Sequence, residues 1–527
     1  MAGEACLPCR LSCTGLENRR LLLPLVFVSG MSSLAIEFGA SRLLAPYFGT
    51  SLYVWGVLIG LVLVYLSAGY VLGGRLADRW PRHDLLFQIT AWAGLWIGLI
   101  PLLAYPILLE SQQGFAQLSA GLVLGTLLAV VLLFAVPVVL LGCVSPFAIR
   151  LLLRDVTTGG NTAGAVYALS TAGSILGTFL PVFWLIPTYG TRPTLIIVSV
   201  ALLALSVLGL WPVPRRRLYA VMLLIVIAGG VLLPRGIKPP EYGRLLYETD
   251  SAYNYIQVVQ DGPKTELILN EGLAVHSIYN PQSLTTGGPW DYFLLGPYFR
   301  PAQAQEPKPK RIALLGLAGG TAARQYDAAF GPSLQMTGVE IDPAILQVAR
   351  KYFDLHEPNL DVQVQDARYW LATQPPVSKF DIIVMDAYRQ PYIPFHLTTK
   401  EFFSLARQHL APGGVAIVNA GRTQSDYGLV DALASTMAAV YPSTYLVDVP
   451  AFTNTIIYGS TDSISDADVR HNLQLAQEPL VQEVAASALK EGNLRASPYH
   501  GQVFTDDLAP VERLIDQIIL GYASGKR

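Results

Sequence analysis

The chain of 527 residues is 52% hydrophobic and only 14% charged, with a mean hydropathy of +0.41. This composition is too apolar for an ordinary soluble enzyme, and the length allows two or more domains. A formal net charge of -2 and a pI near 6.4 offer no basic patch, which excludes nucleic acid as a partner.

The cysteines exclude several reaction classes. Cys6, Cys9 and Cys13 lie in an N-terminal tail over residues 1–20, and the fourth is Cys143. The second half of the chain therefore has no thiolate nucleophile, disulfide or cysteine metal site. The N-terminal cluster lacks a nearby fourth ligand, so a tail without metal is favoured over ligation, and we expect no metal in the protein.

Residues 21–234 predict a membrane domain of about seven transmembrane helices. Each apolar stretch is close to the roughly 20 residues that cross a bilayer, and the first is too long for a cleaved signal peptide. We therefore expect a multi-pass protein of the cell membrane, with the lipid bilayer as a partner. The stretches lie at 21–45, 52–73, 84–109, 119–142, 163–186, 193–211 and 218–234.

Arginines in the short loops predict the orientation of these helices. Most lie in loops on the same side as the N-terminus, whereas the other side has Arg42 and Arg192. The positive-inside rule then places the N-terminus in the cytoplasm. Seven crossings would put residues 235 onward outside the cytoplasm, and a last stretch that does not cross would keep them inside. The sequence leaves both open.

Two features of the apolar half suggest transport. Glu37 and Arg42 lie in or near the first stretch, where a charge is costly unless it faces protein or water. The segment 69–83 resembles a loop of major facilitator transporters. Seven stretches are too few for a complete transporter of that type, so a structural ion pair and a tight turn are favoured. Small residues at 164–179 predict close helix packing.

Residues 241–300 predict a small β-hairpin subdomain. The alternating runs YNYIQVV and TELILN are separated by the turn segments QDGPK and NEG. A linker rich in proline and lysine follows at 301–310.

Residues 311–527 alternate strand and helix, which predicts a doubly wound, mainly parallel sheet. The strand RIALLGL runs into a turn with Gly316, Gly319 and Gly320, a pattern that holds nucleosides and nucleotides. Ligands of such sheets lie at the carboxyl ends of strands. Glu340 ends the second strand, where a carboxylate can accept both ribose hydroxyls, and Asp366 follows the third, where it can meet an adenine amino group. A helix N-cap is the alternative for either residue.

These motifs resemble spermidine synthase and its aminopropyltransferase relatives over residues 241–512. The resemblance rests on the glycine loop, VEID at 339–342, QDA at 365–367 and MDAYRQPYIPFHLTTKEFF at 385–403. The whole chain is similar to membrane-fused spermidine synthase-like proteins, through SRLLAPYFGTSLYVWG and FTDDLAPVE. The resemblance implies a class I methyltransferase-like (Rossmann-like) fold. It also implies transfer of an aminopropyl group from decarboxylated S-adenosylmethionine, as co-substrate, to an amine.

The resemblance also implies roles for individual residues. Asp386 would be the catalytic base, since the attacking amine must lose its proton. Glu340 would hold ribose, Asp366 and Ala367 adenine, and Pro394 would cover the nucleoside. Asn254, Gly316 and Gly319 complete the implied donor site, and the implied acceptor site comprises Trp290, Asp291, Tyr388 and Arg389.

Two positions depart from the family pattern. Aligned without gaps, Gly319 replaces the aspartate that holds the aminopropyl ammonium, and Arg389 replaces the second aspartate of Asp-x-x-Asp, which binds polyamine. A guanidinium beside the acceptor repels a second ammonium, so putrescine is expected to be a poor substrate. His276, Tyr292 and His396 are further candidates for the acceptor pocket. Asp506 and Asp507 are others, although a helix cap ahead of Pro510 is favoured for them.

Three function classes remain open. A membrane-anchored aminopropyltransferase is favoured by the ordered motifs and Asp386. A methyltransferase using intact S-adenosylmethionine is favoured by Gly319, because the carboxylate of that donor tolerates a bare glycine loop. A transporter or sensor would use the soluble domain only to bind a nucleoside or polyamine. The expected small-molecule partner is an amine or polyamine-like acceptor, and a homodimer is compatible with all three classes.

Overall fold

The computed structural model describes residues 10–48, 52–115, 121–153, 155–214, 216–232, 236–270, 274–302, 308–388, 393–497, 501–515 and 517. The chain divides into two compact units, Met1–Lys238 and Pro239–Arg527. The division falls close to the point where the sequence changes from apolar to mixed. Arg389, Cys6 and Cys9 lie outside the described residues.

The first unit is built of apolar helices. They are α1 (Arg10–Phe48), α2 (Leu52–Arg79), α3 (His83–Phe115), α4 (Gly121–Gly142), α5 (Val144–Leu152), α6 (Gly159–Leu180), α7 (Ile186–Tyr189), α8 (Thr191–Leu210) and α9 (Arg216–Val231). A π-helical turn, Pro181–Leu185, joins α6 to α7.

Six segments in the described part of the chain are long and apolar enough to cross a membrane. They are Arg20–Phe48, Val54–Arg79, His83–Ser111, Leu124–Leu152, Val156–Tyr189 and Thr191–Leu210. The seventh predicted stretch forms α9, which has 16 residues. At about 1.5 Å per residue, α9 is shorter than the roughly 30 Å of a bilayer core. The predicted count of about seven thus corresponds here to six long helices and one short one.

The residues after α9 return to the end of the unit where α1 ends and α8 begins. The Arg192 guanidinium donates hydrogen bonds to the carbonyl oxygens of Gly236 (2.7 Å) and Ile237 (3.1 Å). The Lys238 ammonium donates to the carbonyl oxygen of Pro46 at 3.2 Å. The helix α9 begins shortly after α8 ends, at the opposite end of the unit. It therefore runs from one end of the unit to the other, although it has only 16 residues.

Glycines let α1 and α6 approach closely. A Cβ atom at Gly173 would lie 2.0 Å from the carbonyl oxygen of Phe27, and one at Gly177 would lie 2.0 Å from that of Met31. No side chain fits at either position, so larger residues would force the helices apart. The small residues at 164–179 therefore pack as predicted.

The second unit opens with a four-stranded antiparallel sheet, which confirms the predicted hairpins. Its strands, in sheet order, are β1 (Arg244–Asp250), β2 (Tyr255–Asp261), β3 (Lys264–Leu269) and β4 (Val275–Tyr279). Gly262 makes the turn between β2 and β3 with a φ of +58°, which only glycine adopts freely. The short helix α10 (Pro289–Phe293) and a 3₁₀ turn, Gly296–Tyr298, follow.

The larger sheet has the predicted alternating topology. Its strands are β5 (Arg311–Leu315), β6 (Gln335–Glu340), β7 (Leu360–Val364), β8 (Phe380–Met385), β9 (Leu410–Gly421), β10 (Ser443–Val449), β11 (Asn454–Ser460) and β12 (Leu494–Ala496). The order is β12-β10-β11-β9-β8-β5-β6-β7. Strands β5 to β9 pair in parallel, whereas β10, β11 and β12 are antiparallel additions at one edge.

Helices cover both faces of this sheet. They are α11 (Thr321–Phe330), α12 (Pro343–Tyr352), α13 (Ala367–Thr373), α14 (Lys400–His409), α15 (Gly428–Ala438), α16 (Asp466–Gln474) and α17 (Pro479–Ala488), with a 3₁₀ turn at Phe395–Leu397. Ile382 and Val384 of β8 pack into one core cluster, and Ile383 and Met385 into the other. Burial on both faces explains why these strands are continuously apolar.

The order of the parallel strands reverses between β5 and β8. From β5 the chain moves to β6 and β7 on one side, and then returns to β8 and β9 on the other. The loops after β5 and β8 therefore diverge and leave a crevice at the carboxyl edge of the sheet, where doubly wound folds bind ligands.

Candidate active site

A cavity of about 270 Å³ lies at this edge of the sheet. Most of the predicted donor-site residues line it, together with the predicted base. The lining includes Asn254, Gly316, Glu340, Asp366, Ala367, Asp386, Tyr388 and Pro394, as well as His276 and His396. The fold therefore brings together residues from seven separate stretches of the sequence.

The glycine loop after β5 shapes the floor of the cavity. Gly316 has a φ of +94°, and a Cβ atom there would lie 2.4 Å from the carbonyl oxygen of Asp386. Ala318 adopts a φ of +49°, which costs a residue with a Cβ roughly 1–2 kcal/mol. In this conformation its N–H donates to Oε2 of Glu340 at 3.0 Å. The loop is thus fixed against the neighbouring strand.

Gly319, which was predicted to belong to the donor site, does not line the cavity. Its N–H donates to the hydroxyl of Ser277 on β4 at 2.8 Å, and a Cβ atom there would lie 2.7 Å from the Ser277 Cβ. Gly319 therefore faces the hairpin sheet and not the ligand space. Ser277, which sequence reasoning missed, fills the space that a side chain at 319 would need.

Glu340 is a buried carboxylate with capacity for two further hydrogen bonds. It is 7% exposed, and its oxygens accept from the N–H groups of Ala318 and Asp342, each at 3.0 Å. Each oxygen retains a lone pair for a hydroxyl donor. Burial raises the pKa of Glu340 to about 7, although hydrogen bonds from the backbone N–H groups of Asp342, Ala318 and Ile341 oppose the shift.

Asn254 lines the cavity and belongs to a hydrogen-bond network that the sequence did not predict. Its amide nitrogen donates to Asp342 Oδ2 at 3.0 Å, and its amide oxygen accepts from Asn270 at 3.1 Å. Asp342 also accepts from Ser251 and caps α12 through the N–H of Ala344. Asp342 is the last residue of the VEID motif. Its contacts with Ser251 and Asn254 connect the hairpin sheet to the larger sheet.

Asp366 is the N-cap of α13, which was the alternative interpretation, and it also lines the cavity. Its Oδ1 accepts from the N–H of Tyr369 at 2.9 Å and caps α13, while Oδ2 lies 3.0 Å from His396 Nε2 at the cavity wall. The hydrogen bond from His396 lowers the pKa of Asp366. Asp506 lies outside the cavity lining, where it pairs with both guanidinium nitrogens of Arg368 at 2.7 and 2.6 Å. It does not return to the site.

Asp386 follows β8 and is held from behind by neutral donors. Trp290 Nε1 donates to its Oδ2 at 3.1 Å, and the amide nitrogen of Asn419 donates to its Oδ1 at 2.9 Å. Burial raises the pKa of Asp386 to about 7, and these two bonds oppose the shift. At neutral pH the carboxyl therefore accepts and releases a proton readily.

Asp291, which was predicted to contact the acceptor, lies behind the cavity wall and contacts a loop and α11. Asp291 is 3% exposed and does not line the cavity. Its oxygens accept from the backbone N–H groups of Thr286 and Gly287, from the Thr286 hydroxyl and from Gln325. It therefore holds the loop at 284–288 against α11 and supports the neighbouring Trp290.

The other predicted acceptor residues have different places. The Tyr388 hydroxyl donates to the carbonyl oxygen of Asn419 at 2.8 Å, so its ring lines the cavity while its hydroxyl ties down β9. The Tyr292 hydroxyl pairs with Ser487, outside the cavity lining. Arg389 lies outside the described residues. Among those that are described, no three His, Cys, Asp or Glu side chains are grouped to hold a metal ion.

The chain is similar to known aminopropyltransferases. Residues 302–467 match the spermine/spermidine synthase domain. The chain is 35% identical over 306 residues to a probable polyamine aminopropyl transferase of Bifidobacterium longum, covering 54% of this chain and 66% of that protein. It is 26% identical over 466 residues to a polyamine aminopropyltransferase of Corynebacterium efficiens, covering 82% and 84%.

The solved structures include a probable spermidine synthase from Corynebacterium glutamicum. It is 22% identical, covers 52% of this chain and 99% of its own, and has a TM-score of 0.38.

The sequence match spans just under two thirds of the Bifidobacterium relative, at 66%. It spans 54% of a polyamine aminopropyltransferase of Vibrio vulnificus.

Proposed function

We propose that this chain, whose residues 302–467 match the spermine/spermidine synthase domain and follow a run of apolar helices, is a membrane-anchored aminopropyltransferase. The donor is decarboxylated S-adenosylmethionine, and the products are an aminopropylated amine and methylthioadenosine. The observation that carries this proposal is Asp386, a buried carboxylate in the same cavity as Glu340.

Different residues around the cavity bind the ribose and the adenine of the donor. Glu340 accepts the ribose hydroxyls with its free lone pairs, and Asp366 and Ala367 lie beyond it for adenine. The sulfonium then lies among carboxylates, which favour its positive charge.

Asp386 serves the transfer step. The amine nitrogen attacks the propyl carbon bonded to sulfur, and the carbon–sulfur bond breaks with its electron pair going to sulfur. The sulfonium becomes a neutral thioether. The proton of the attacking nitrogen passes to Asp386 and from there to solvent.

The loop at Gly319 favours methyl transfer from intact S-adenosylmethionine as a second candidate. A side chain at 319 would clash with Ser277, so this loop supplies no carboxylate to pair with the aminopropyl ammonium of the decarboxylated donor. The carboxylate that distinguishes intact S-adenosylmethionine would meet no repulsion there.

The product nucleoside distinguishes the two candidates. Purified full-length protein is incubated with either donor and a panel of amines, and the released nucleoside is identified by mass spectrometry. We expect methylthioadenosine from the decarboxylated donor. S-adenosylhomocysteine would establish the methyltransferase instead, and release of neither nucleoside would favour a protein that only binds its ligand.

We also propose that the first unit lies in a lipid bilayer and that the chain leaves it opposite the arginine-rich loops. The contacts of Gly236 and Ile237 with Arg192 support this, since they lie at the end away from Arg79, Arg82 and Arg216. By the positive-inside rule, residues 239 onward then emerge on the non-cytoplasmic side. The donor must reach that side.

Cysteine labelling tests this topology. In a chain without its native cysteines, Trp80→Cys and Lys308→Cys should react with a membrane-impermeant maleimide from opposite sides, because α9 completes an odd number of crossings. Intact and inverted vesicles provide the two sides. Reaction of both positions from the same side would show that α9 does not cross.

A further inference from the structure

The carboxylate of Asp386 is contacted from behind by an asparagine whose orientation is itself fixed. Asn419 stands near the end of β9, and its amide nitrogen donates to Asp386 Oδ1 at 2.9 Å. Its amide oxygen accepts from the amide nitrogen of Asn454, at the start of β11, also at 2.9 Å. The two amides therefore form a chain that points one way, towards Asp386.

The direction of this chain matters because an asparagine amide is a donor at one end and an acceptor at the other. With the nitrogen towards Asp386, Asn419 stabilises the carboxylate. With the oxygen in that place, two acceptors would face each other and destabilise it. Asn454 removes the second arrangement, because its donor occupies the oxygen of Asn419.

Backbone contacts hold Asn419 in place. It is 6% exposed, its carbonyl oxygen accepts from the Tyr388 hydroxyl at 2.8 Å, and that hydroxyl accepts from the N–H of Gly421 at 3.1 Å. Antiparallel pairing sets Asn454 opposite Gly421 and Asn419 opposite Ile456. The antiparallel edge of the sheet thus reaches the reacting centre through these amides.

We propose that Asn419 and Asn454 form an amide relay that orients the Asp386 carboxylate towards the acceptor amine and keeps it ionised for proton removal. Asn419 and Asn454 are positioning residues, since neither lines the cavity. This inference rests on the proposed function of Asp386. It adds a role for two residues on strands that otherwise only extend the sheet.

The two side chains that donate hydrogen bonds to the Asp386 carboxylate are neutral. Trp290 supplies the other donor, and the other titratable side chains lining the cavity are His276, Glu340, Asp366, Tyr388 and His396, with Tyr253 at its edge. Burial already raises the pKa of Asp386 to about 7. Loss of a donor raises this pKa further, so the base becomes ionised only at higher pH.

The test is the pH dependence of kcat at saturating donor, where ribose already engages Glu340. We expect the acidic limb of the unmodified protein near pH 7. Because Asn419→Leu removes one hydrogen bond to the charged carboxylate, it should move the limb up by about one to two pH units. Asn454→Leu should move it in the same direction by less, because the Asn419 amide remains but loses its fixed orientation.

The double variant makes the test specific for a relay. If Asn454 acts through Asn419, Asn419→Leu with Asn454→Leu should behave like Asn419→Leu alone. Asn472→Leu is the matched control, because Asn472 is a buried asparagine that donates to the carbonyl oxygens of Tyr298 and Arg300, away from the cavity. It should lower stability without moving the limb.

Several outcomes would overturn the relay. Unmoved limbs in both single variants would show that the amides do not act on Asp386, and additive shifts would show that Asn454 acts independently. If Asn419→Leu fails to fold, Asn454→Leu alone still decides, because it retains the asparagine that contacts the carboxylate. Absence of transfer by the unmodified protein would instead reject the proposed function.

Discussion

Replacing Asp386 by asparagine is expected to reduce aminopropyl transfer by about 10²- to 10⁴-fold, the usual contribution of a general base. Asparagine keeps the shape of the side chain but cannot take the proton of the attacking amine. Glu340 and Asp366, on the other side of the cavity, remain unchanged. The affinity for methylthioadenosine, measured by calorimetry, should therefore stay close to that of the unmodified protein.

Asp381→Asn is the matched control for this variant. Asp381 lies on the same strand, β8, but at its other end, where its carboxylate accepts from the N–H groups of Lys310 and Arg311. Transfer should survive this change. Retention of transfer by Asp386→Asn would remove the assignment of the base, whatever the control shows.

Stability should change in the opposite direction from activity. A carboxyl group whose pKa is raised by folding stabilises the folded state fully below its unfolded pKa of about 4. That stabilisation is lost as the pH rises through the folded value of about 7 for Asp386. Through this group the unmodified protein should melt at a lower temperature at pH 8 than at pH 5, and Asp386→Asn, which cannot ionise, should show a smaller difference between the two pH values. An equal difference in both proteins would show that Asp386 does not ionise in this range.

Glu340→Ala is expected to weaken methylthioadenosine binding by about 10²- to 10⁴-fold. One carboxylate accepting two ribose hydroxyls makes two charge-assisted bonds, each worth about 1.5–3 kcal/mol, and each 1.4 kcal/mol is about tenfold in affinity. The variant also removes the carboxylate to which the N–H groups of Ala318 and Asp342 donate hydrogen bonds. Isothermal calorimetry or competition with the donor measures the loss.

Asp291→Ala provides the comparison for Glu340→Ala. Asp291 fixes the loop before Trp290, so its loss should lower turnover through Trp290 and Asp386 while changing methylthioadenosine affinity much less. Equal losses of affinity in both variants would contradict the separation of the donor side from the loop that supports the base.

Local patterns predicted the hairpins of the second unit and most of the alternating strands and helices from β5 to β9. The Asp-Gly-Pro-Lys turn between alternating runs predicted the β2–β3 hairpin, and the strand–glycine–helix pattern at 311–330 predicted the parallel sheet, because turn chemistry and periodicity act over a few residues. The places of Glu340 and Asp386 followed as well. Carboxyl ends of parallel strands share one edge, so a side chain at the end of a strand is placed by topology alone.

Contacts between distant segments decided the rest. Whether Asp291 faces a ligand depends on backbone N–H groups at 286 and 287 and on Gln325, and whether Gly319 has free space depends on Ser277 from another sheet. Asn419 carries no local signal of its role, because it acquires one only where β9 lies behind Asp386. In the apolar unit, the sequence left open whether the last stretch crosses the membrane, whereas the contacts of Arg192 with Gly236 and Ile237 bring the residues after α9 to the end of the unit where α8 begins. Tertiary packing decides which partners come within about 3 Å of a side chain, and those partners set its orientation at the site. The spacing of residues along the sequence does not give these distances.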